Sequence, residues 1–463
     1  MTADPGLVAH VESPLPAAVA AGSATAAFCY GICLHPEHAI ADLRIAVDGE
    51  RHGVAALRMP RPDVALGRSG FWATVPLPAR GAGSAIELRA DARLVDGREL
   101  SAPLASIAVV EPPPPPAVEP GTAGAPAPAP AAGDGPPVIA VCMATHEPDM
   151  ALLRVQVESL RAQTDERWIC LVSDDCSSPA RFAAIRDLVG ADPRFALSRS
   201  EARLGFYRNF ERALRMVPAG VELVALCDQD DRWHPGKLAV LRAALGGARL
   251  AYSDQRLVDR DGRVLRATLW RGRRNNASNL ASMLVANTIT GAATLFRRDV
   301  ADLALPFPDT PGLEFHDHWL ALVALATGDV AYVDRPLYDY VQHAGAIFGD
   351  VTEHGERRPA PRVLDRWRAA YFCGYVAREV LVRTLLARGA GRIAPRKRAV
   401  LGRYLASARS PLAFAWLAAR PLRRLAGRTE TLGSEADLAR GLAWRWLAAH
   451  APDRVAGDAR LPA

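Results

Sequence analysis

The sequence predicts a protein of several domains: an N-terminal β-sandwich, a central α/β domain with a mostly parallel sheet, and a C-terminal α-helical region. The chain has 463 residues, which is more than one ordinary domain contains. Half of the residues are apolar and 23% are charged, which excludes a disordered or fibrous protein. The periodicity of the apolar residues also changes along the chain, and each change marks a different architecture.

Residues 1–110 alternate apolar and polar side chains in short runs. Turn signals, among them Asp48-Gly49 and Asp96-Gly97, separate these runs. Such a pattern is typical of a small immunoglobulin-like β-sandwich. The segment contains no catalytic triad, metal-ligand cluster or phosphate-binding loop, so we expect an accessory domain.

Residues 111–137 are rich in proline and alanine. Proline interrupts helices and sheet ladders, and the segment has no large side chain that could anchor a core. We therefore expect an extended, semi-rigid linker that separates the β-sandwich from the rest of the chain.

Residues 138–350 alternate apolar strands with amphipathic helices, beginning with the strand VIAVCMAT, a helix over 149–162 and the strand WICLVSDD. Near-continuous apolar strands indicate a mostly parallel sheet that is covered by helices on both faces. Ligands of such sheets bind beyond the carboxyl ends of the strands. The polar clusters of this region follow strands, which predicts a binding site there.

Residues 351–463 form a basic helical region. From Arg362 onward there are 20 Lys and Arg but seven Asp and Glu, a net charge of +13 in a chain whose net charge is +6. One interpretation is a helical subdomain that covers the catalytic domain. The other is a surface that contacts anionic lipid at the inner face of the cell membrane. We found no nucleic-acid-binding motif and expect no nucleic-acid partner.

The longest apolar runs are much shorter than the ~20 residues that a membrane-spanning helix needs. The amino terminus lacks the basic segment of a signal peptide. We therefore expect a soluble, cytoplasmic protein, with peripheral membrane contact as the open alternative.

Three acidic groups stand out in the central region: Asp174-Asp175, the D-x-D of Asp228 and Asp230, and Asp317. Three such groups at one sheet edge would repel each other unless a cation or polar ligand joined them. Two carboxylates spaced as D-x-D suit a divalent metal that bridges a diphosphate, and the third would be free to act as a base. A zinc site at Asp317 with its two flanking histidines is the alternative.

Seven motifs occur in order over about two hundred residues: VCMATHE, LVSDDCS, LGFYRNF, LCDQDDRWHPGKL, NTITGAATLFRR, HDHWLAL and YVQH. Together they resemble a family 2 glycosyltransferase with the GT-A fold, and most closely its bacterial rhamnosyltransferase-type branch. The resemblance extends from Pro137 to Gly349. It implies transfer of a sugar from a nucleoside-diphosphate donor to a glycan or lipid-linked acceptor.

The resemblance implies a nucleotide-binding set. Thr145 and Glu147 match the loop that contacts the nucleotide. Asp174 and Asp175 match the acidic pair that holds the nucleobase. Asp228, the first carboxylate of the D-x-D, completes the set.

The resemblance also implies a cofactor, Mg²⁺ or Mn²⁺. Asp230 matches the direct metal ligand, with Asp228 beside it. His343, in YVQH, matches a histidine that approaches the metal or the diphosphate. The cation would neutralise charge on the departing diphosphate.

Asp317 matches the catalytic base of the family. Gly291 and His316 match positions on the acceptor side. One base and one metal imply a single displacement that inverts the anomeric configuration, through a transition state like that of glycoside hydrolysis.

Two functions follow from the sequence. The first is an inverting, metal-dependent hexosyl- or rhamnosyltransferase in the synthesis of cell-surface polysaccharide. The alternative is a non-catalytic carbohydrate-binding or scaffolding protein whose transferase domain is degenerate. The three acidic groups favour the enzyme.

Overall fold

A computed structural model describes residues 6–13, 15–61, 63–64, 67–120, 138–190, 192–270, 275–312, 314–342 and 363–450. Among these residues, no helix has both the length and the hydropathy that crossing a bilayer requires.

The N-terminal region consists of two β-sheets that enclose a common core. Its strands are β1 (Val8–Val11), β2 (Ala18–Ala20), β3 (Thr25–Leu34), β4 (Ile40–Val47), β5 (Glu50–Gly53), β6 (Ala56–Met59), β7 (Gly70–Leu77), β8 (Ala85–Leu94) and β9 (Glu99–Val110). One sheet has the order β1-β3-β7-β6 and the other β2-β9-β8-β4-β5. Alternate residues of both sheets, such as Cys29, Phe71 and Leu88, fill the core between them. The immunoglobulin-like assignment itself stays a prediction.

The central region is built on one large mixed sheet. Its strands are β10 (Glu119–Pro120), β11 (Ile139–Thr145), β12 (Trp168–Asp174), β13 (Phe195–Arg199), β14 (Leu223–Cys227), β15 (Arg232–Trp233), β16 (Leu250–Asp259), β17 (Val264–Arg266), β18 (Thr294–Arg297) and β19 (Val330–Gln342). The order is β10-β13-β12-β11-β14-β18-β16-β19-β15, and β17 pairs with β16.

Parallel pairing joins β13, β12, β11 and β14, as the apolar runs predict. The rest of the sheet is mixed, because β18 lies antiparallel between β14 and β16 while β16 and β19 run parallel. Strands β16 and β19 are long and carry buried polar residues, so they lack the continuous apolar pattern by which the first strands are recognised.

The helices of this region are α1 (Met150–Arg161), α2 (Pro179–Val189), α3 (Phe206–Arg215), α4 (Lys237–Leu245), α5 (Leu280–Val285), α6 (Arg298–Ala304) and α7 (His316–Thr327), with a 3₁₀ turn at Gly291–Ala293. Local signals fix their starts. Asp149 caps α1 by accepting from the amide of Ala151, and Ser178 caps α2 ahead of Pro179.

The start of the proline-rich segment lies along the central region, contrary to the expectation of a linker that only separates two domains. Glu119 and Pro120 pair with β13. Arg215 donates to the carbonyl oxygen of Pro113 at 2.6 Å, and the hydroxyl of Ser198 donates to that of Ala117 at 2.5 Å. Proline lacks an N–H group but keeps its carbonyl acceptor, which Arg215 uses at Pro113. Residues 121–137 lie outside the described part of the chain.

The C-terminal region consists of α8 (Val363–Ala369), α9 (Ala377–Arg388), α10 (Pro395–Ala406), α11 (Pro411–Ala419) and α12 (Ser434–His450). A π-helical stretch, Ala370–Val376, connects α8 to α9, and a 3₁₀ segment, Arg420–Ala426, follows α11.

The C-terminal helices also pack on the N-terminal sheets, so the two ends of the chain share a core that the sequence did not suggest. Trp72 of β7 stacks on Trp444 of α12, with ring centroids 6.2 Å apart. Its indole N–H donates to the Tyr371 hydroxyl at 3.2 Å. The hydroxyl of Thr384 accepts from the amide of Ala26 at 3.1 Å. The domain limits drawn from the sequence stay predictions, but the first 110 residues are not a separate appendage.

Candidate active site

The candidate site lies at the edge of the sheet where the parallel strands end. Thr145 ends β11, Asp174 ends β12, and Asp228 directly follows β14. The hydroxyl of Thr145 donates to the carboxylate of Asp174 at 3.0 Å, so the ends of two neighbouring strands are tied together. The parallel register thus brings two of the predicted groups to one edge.

Asp174 and Asp175 hold the two loops that leave this edge. The buried carboxylate of Asp174 accepts from the amide and hydroxyl of Ser177, at 2.9 and 2.6 Å. The carboxylate of Asp175 accepts from the amides of Leu204 and Gly205, at 2.5 and 2.9 Å. Both side chains therefore organise the loops, and their contact with a nucleobase stays a prediction.

The loop after β11 is connected to the D-x-D segment. Gln229, the central residue of that segment, accepts from the amide of His146 at 2.8 Å. Glu147 has a left-handed backbone with φ 40°. Its carboxylate accepts from the amide of Ser178 at 2.5 Å, and this hydrogen bond lowers the pKa of Glu147. The loop is therefore held in place at both of its ends.

Asp228, Asp230 and Asp231 form a cluster of negative charge. Burial and the charges of Asp230 and Asp317 raise the pKa of Asp228 to about 7. Asp231 is fully buried, and burial together with the charges of Asp228 and Asp230 raises its pKa well above the usual range. One of its oxygens, Oδ1, lies 3.4 Å from the amide of Val341, while Oδ2 has no hydrogen-bond partner.

Lys237, the first residue of α4, brings a buried cation to this cluster. Its ammonium group lies 3.2 Å from the centre of the Trp233 ring and donates to the carbonyl oxygen of Ala292. Burial lowers the pKa of Lys237 to about 7, while the charges of Asp231 and Asp228 favour its protonated form. The lysine partly offsets the mutual repulsion of the carboxylates.

Asp317 lies in the first turn of α7. Its carboxylate accepts from the amide of His318 at 2.6 Å and from donors on Gly291 and Asn287. Burial nevertheless raises the pKa of Asp317 to about 6. A carboxylate with such a pKa suits proton transfer near neutral pH, because its affinity for a proton is high while much of it remains ionised.

Gly291 and His316 are in contact. A methyl group built on Gly291 would lie 2.7 Å from Nε2 of His316, so only glycine fits here without a shift. The His316 ring stacks on Phe210 with centroids 3.9 Å apart, and burial lowers its pKa to about 3. The neutral His316 ring therefore packs inside the protein, beside Asp317 in the chain. A direct contact with an acceptor stays a prediction.

The two histidines beside Asp317 do not form a zinc site. His318 donates from Nε2 to the carbonyl oxygen of Met283 at 2.8 Å, and His316 is stacked on a phenyl ring. Throughout the described ranges, no three or more His, Cys, Asp or Glu residues are arranged to hold a metal ion by themselves.

The donor set at the D-x-D fits a hard divalent cation with a diphosphate as co-ligand. The unpartnered Oδ2 of buried Asp231 and the crowded carboxylates of Asp228 and Asp230 are oxygen groups that a cation would stabilise. Magnesium typically takes one or two protein carboxylates together with phosphate oxygens. His343 lies outside the described residues, which end at Gln342 in this part of the chain.

The structure therefore brings together most of the predicted residues, from Thr145 and Asp174 at one end to Asp228 and Asp317 at the other. Lys237, Asp231 and Asn287 lie within the motifs quoted above, but the sequence alone assigned them no individual role. Lys237 is a charged residue at the start of a largely apolar helix segment. Asn287 opens the motif NTITGAATLFRR, and its contact with Asp317 is made only through the fold.

The sequence of the site region matches a known family. Residues 140–303 match the family model of glycosyl transferase family 2. An uncharacterized protein, y4gI of Sinorhizobium fredii, is 29% identical over 123 residues, which is 26% of this chain and 13% of the relative. The chain thus matches only a small part of the length of that curated relative.

Solved structures are similar at low identity. Residues 1–349 of TarS from S. aureus, in complex with UDP-GlcNAc, match 65% of this chain and 90% of theirs, with 14% identity and a TM-score of 0.39. The mannosyltransferase PcManGT from Pyrobaculum calidifontis, in complex with GDP-Man and Mn²⁺, matches 67% of this chain and 88% of its own, with 16% identity and a TM-score of 0.34. By its family match, the domain formed by residues 140–303 is a glycosyltransferase domain that belongs to glycosyl transferase family 2.

Proposed function

We propose that this protein transfers a hexose or rhamnose from a nucleoside-diphosphate sugar to a glycan or lipid-linked acceptor in the synthesis of cell-surface polysaccharide, with inversion of configuration. The observation that carries the proposal is the convergence of Asp228, Asp230 and Asp317. The charges of the other two raise the pKa of Asp228, so all three lie within electrostatic reach of one another. The family match of residues 140–303 supports the reaction class.

On the donor side, the loops held by Thr145, Asp174 and Asp175 shape the nucleotide pocket. Asp228 and Asp230 would hold Mg²⁺ or Mn²⁺, and Asp231 lies directly behind them. The cation, when bound, supplies positive charge to the diphosphate leaving group. Lys237 adds positive charge to the cluster in its protonated form, which the charges of Asp231 and Asp228 favour.

On the acceptor side, Asp317 removes the proton of the attacking hydroxyl. The amide of His318 and the donors of Gly291 and Asn287 fix the orientation of its carboxylate. The helix α7 places this carboxylate at its amino terminus, where the helix dipole stabilises the negative form. Burial acts in the opposite direction and keeps the pKa of Asp317 raised, so the carboxylate stays basic. Attack by one activated hydroxyl, without a second nucleophile, supports inversion.

The test combines binding and turnover in the full chain. Nucleoside diphosphates and their sugars are screened by thermal shift with and without Mn²⁺ or Mg²⁺, since a ligand of the folded state raises the melting temperature. The best stabiliser is then used in a transfer assay with Asp317→Asn. We expect turnover to fall by about 10²–10⁴-fold, as for loss of a general base, with the thermal shift unchanged.

Asp302→Asn is the matched control, because Asp302 is an exposed carboxylate that pairs with Arg298 on α6. It should leave both readouts at wild-type values. If no nucleotide raises the melting temperature, the transferase proposal fails. If Asp317→Asn turns over like the wild type, Asp317 is not the base.

A further inference from the structure

The C-terminal region exposes large apolar side chains on α11 and the 3₁₀ segment after it. Leu412, Leu422 and Leu425 are 85%, 64% and 88% exposed. Leucines of the same segment that face inward, such as Leu417, are fully buried. The segment is therefore folded against the protein on one side, and its outer leucines are mostly exposed.

The stretch of chain that carries these leucines is basic. No acidic residue occurs between Glu379 and Glu430, whereas this stretch contains twelve Lys and Arg. Arg403, Arg424 and Arg428 are among the exposed basic residues of this stretch. Exposed arginines beside exposed apolar side chains are complementary to a surface that combines anionic groups with hydrocarbon, which is an anionic lipid bilayer.

A shallow groove of about 460 Å³ opens on the same side, between α10 and α11. Arg403, Leu412 and Trp416 are among the residues that line it. The guanidinium of Arg403 lies 5.7 Å from the centre of the Trp416 ring. A cation beside an amphipathic ring is typical of the headgroup level of a membrane.

This surface is connected to the acceptor side of the candidate active site by one short helix, α5. Arg420 and Arg423 each donate to the hydroxyl of Ser282 at 2.8 Å. On its other side, the carbonyl oxygen of Met283 accepts from His318, the residue after Asp317. The helix α5 therefore lies between the exposed leucines and the candidate base.

We propose that Leu412, Leu422 and Leu425, with Arg403, Arg424 and Arg428, form a docking surface for an anionic membrane. The leucines enter the interface, and the arginines pair with lipid phosphates. Binding itself is independent of catalysis. A second part of the proposal is that docking turns Asp317 toward an acceptor in the membrane. This second part rests on the proposed function.

The test is co-sedimentation of the full chain with vesicles of phosphatidylcholine alone or mixed with phosphatidylglycerol. The wild type should bind the anionic vesicles and remain in solution with the neutral ones. Arg424→Gln with Arg428→Gln should weaken binding about thirty-fold, since each basic residue near the surface contributes about a factor of five. Leu422→Ser with Leu425→Ser should weaken it at least about tenfold, because two leucine side chains no longer enter the interface.

The control is Val264→Ser with Leu265→Ser, which removes two apolar side chains that are about half exposed from β17 in the central region. It should bind like the wild type. Equal binding to both vesicle types, no binding, or unchanged binding of the leucine variant would each overturn the proposal. So would a leucine variant that dissociates a dimer in light scattering while its vesicle binding is unchanged, since the surface then joins two copies of the chain. Nucleotide thermal shifts in the leucine variant should equal those of the wild type, which separates this result from a failure of the transferase proposal.

Discussion

The ammonium group of Lys237 and the carboxylate of Asp231 are both fully buried beneath the D-x-D segment, and each favours the charged form of the other. The lysine is the first residue of α4, and the aspartate follows β14 by four residues. Neither is within reach of bulk water. The protein therefore contains a buried basic group whose protonation is coupled to that of the carboxylates that would bind a metal.

We expect Lys237→Met to destabilise the protein by about 3–5 kcal/mol, because it leaves the buried carboxylate of Asp231 without the nearby positive charge that favours its ionised form. Urea unfolding of the metal-free protein measures this change. The double variant with Asp231→Asn should recover part of the loss, since the unpaired carboxylate is then removed as well. Simple additivity of the two single changes would contradict an interaction between them.

Gly291→Ala should lower both stability and turnover. Its methyl group would lie 2.7 Å from Nε2 of His316 and 3.4 Å from Leu226, so the ring and the donor to Asp317 must shift. Overpacking of this kind costs about 1–3 kcal/mol. Gly402→Ala is the control, because nothing lies within 4 Å of the new methyl group in helix α10. That variant should be neutral or slightly stabilised.

The buried His316 should make the protein less stable in acid. Burial lowers its pKa from 6.5 to about 3. Its contribution is complete above pH 6.5, where the ring is neutral in both states. It is lost as the pH falls toward 3, because the unfolded chain then binds a proton that the folded chain does not.

A histidine that takes up a proton in the unfolded chain but not in the folded one changes the free energy of unfolding by about 1.4 kcal/mol per pH unit, between its folded and unfolded pKa values. His316→Leu should reduce the slope of the unfolding free energy against pH by this amount, whatever its effect on absolute stability. His318 titrates similarly in both proteins, so the difference isolates His316. Parallel curves for the two proteins would show that the ring is protonated in the folded state.

The elements that carry strong local signals could be predicted from the sequence. Helix α2 begins where the sequence signals a helix start, because Ser178 caps it and Pro179 suits its first position. Strands β11 and β12 are apolar except at their carboxyl ends, so they too could be predicted. Strand β16 was missed, because Ser253, Asp254 and Gln255 are buried polar residues that interrupt its apolar pattern.

From the sequence, only the site residues that lie at the ends of strands could be placed near one another. Asp174 and Asp228 follow apolar strands, so the parallel topology alone predicts their neighbourhood. Asp317 lies at the start of a helix, and its position relative to Asp228 depends on how α7 packs. The contacts of Lys237 and Asn287 are long-range and have no periodic signature in the chain.

Trp72→Ala should uncouple the two ends of the chain. The Trp72 ring is 1% exposed, stacks on Trp444 and donates to Tyr371. Loss of a buried tryptophan costs about 3–5 kcal/mol. Calorimetry should show the N-terminal sheets melting ahead of the rest. Trp446→Ala, on the same helix as Trp444 but at a 58% exposed position, should leave the transition unchanged. A single unshifted transition for Trp72→Ala would refute a shared core.

Arg378→Met tests whether the C-terminal helices support the acceptor side. The guanidinium of partly buried Arg378 donates to the carbonyl oxygens of Leu284 and Val285 at 2.9 and 2.7 Å, at the end of α5. Two residues later Asn287 donates to Asp317. Without the arginine, these carbonyl groups lose their donors and the segment that orients Asp317 is less constrained.

We expect turnover to fall about tenfold, as when a hydrogen bond that orients a reacting group is lost, with nucleotide thermal shifts unchanged. The distinguishing readout is the ratio of the effects on kcat and on donor KM. A residue that positions the base lowers kcat and leaves donor KM intact, whereas general unfolding lowers the amount of active enzyme and abolishes the thermal shift. Arg383→Met on the same helix is the control, because Arg383 pairs with Glu379 of its own helix. If Arg378→Met and Arg383→Met lose the same turnover, helix α9 contributes to the stability of the fold and does not position Asp317.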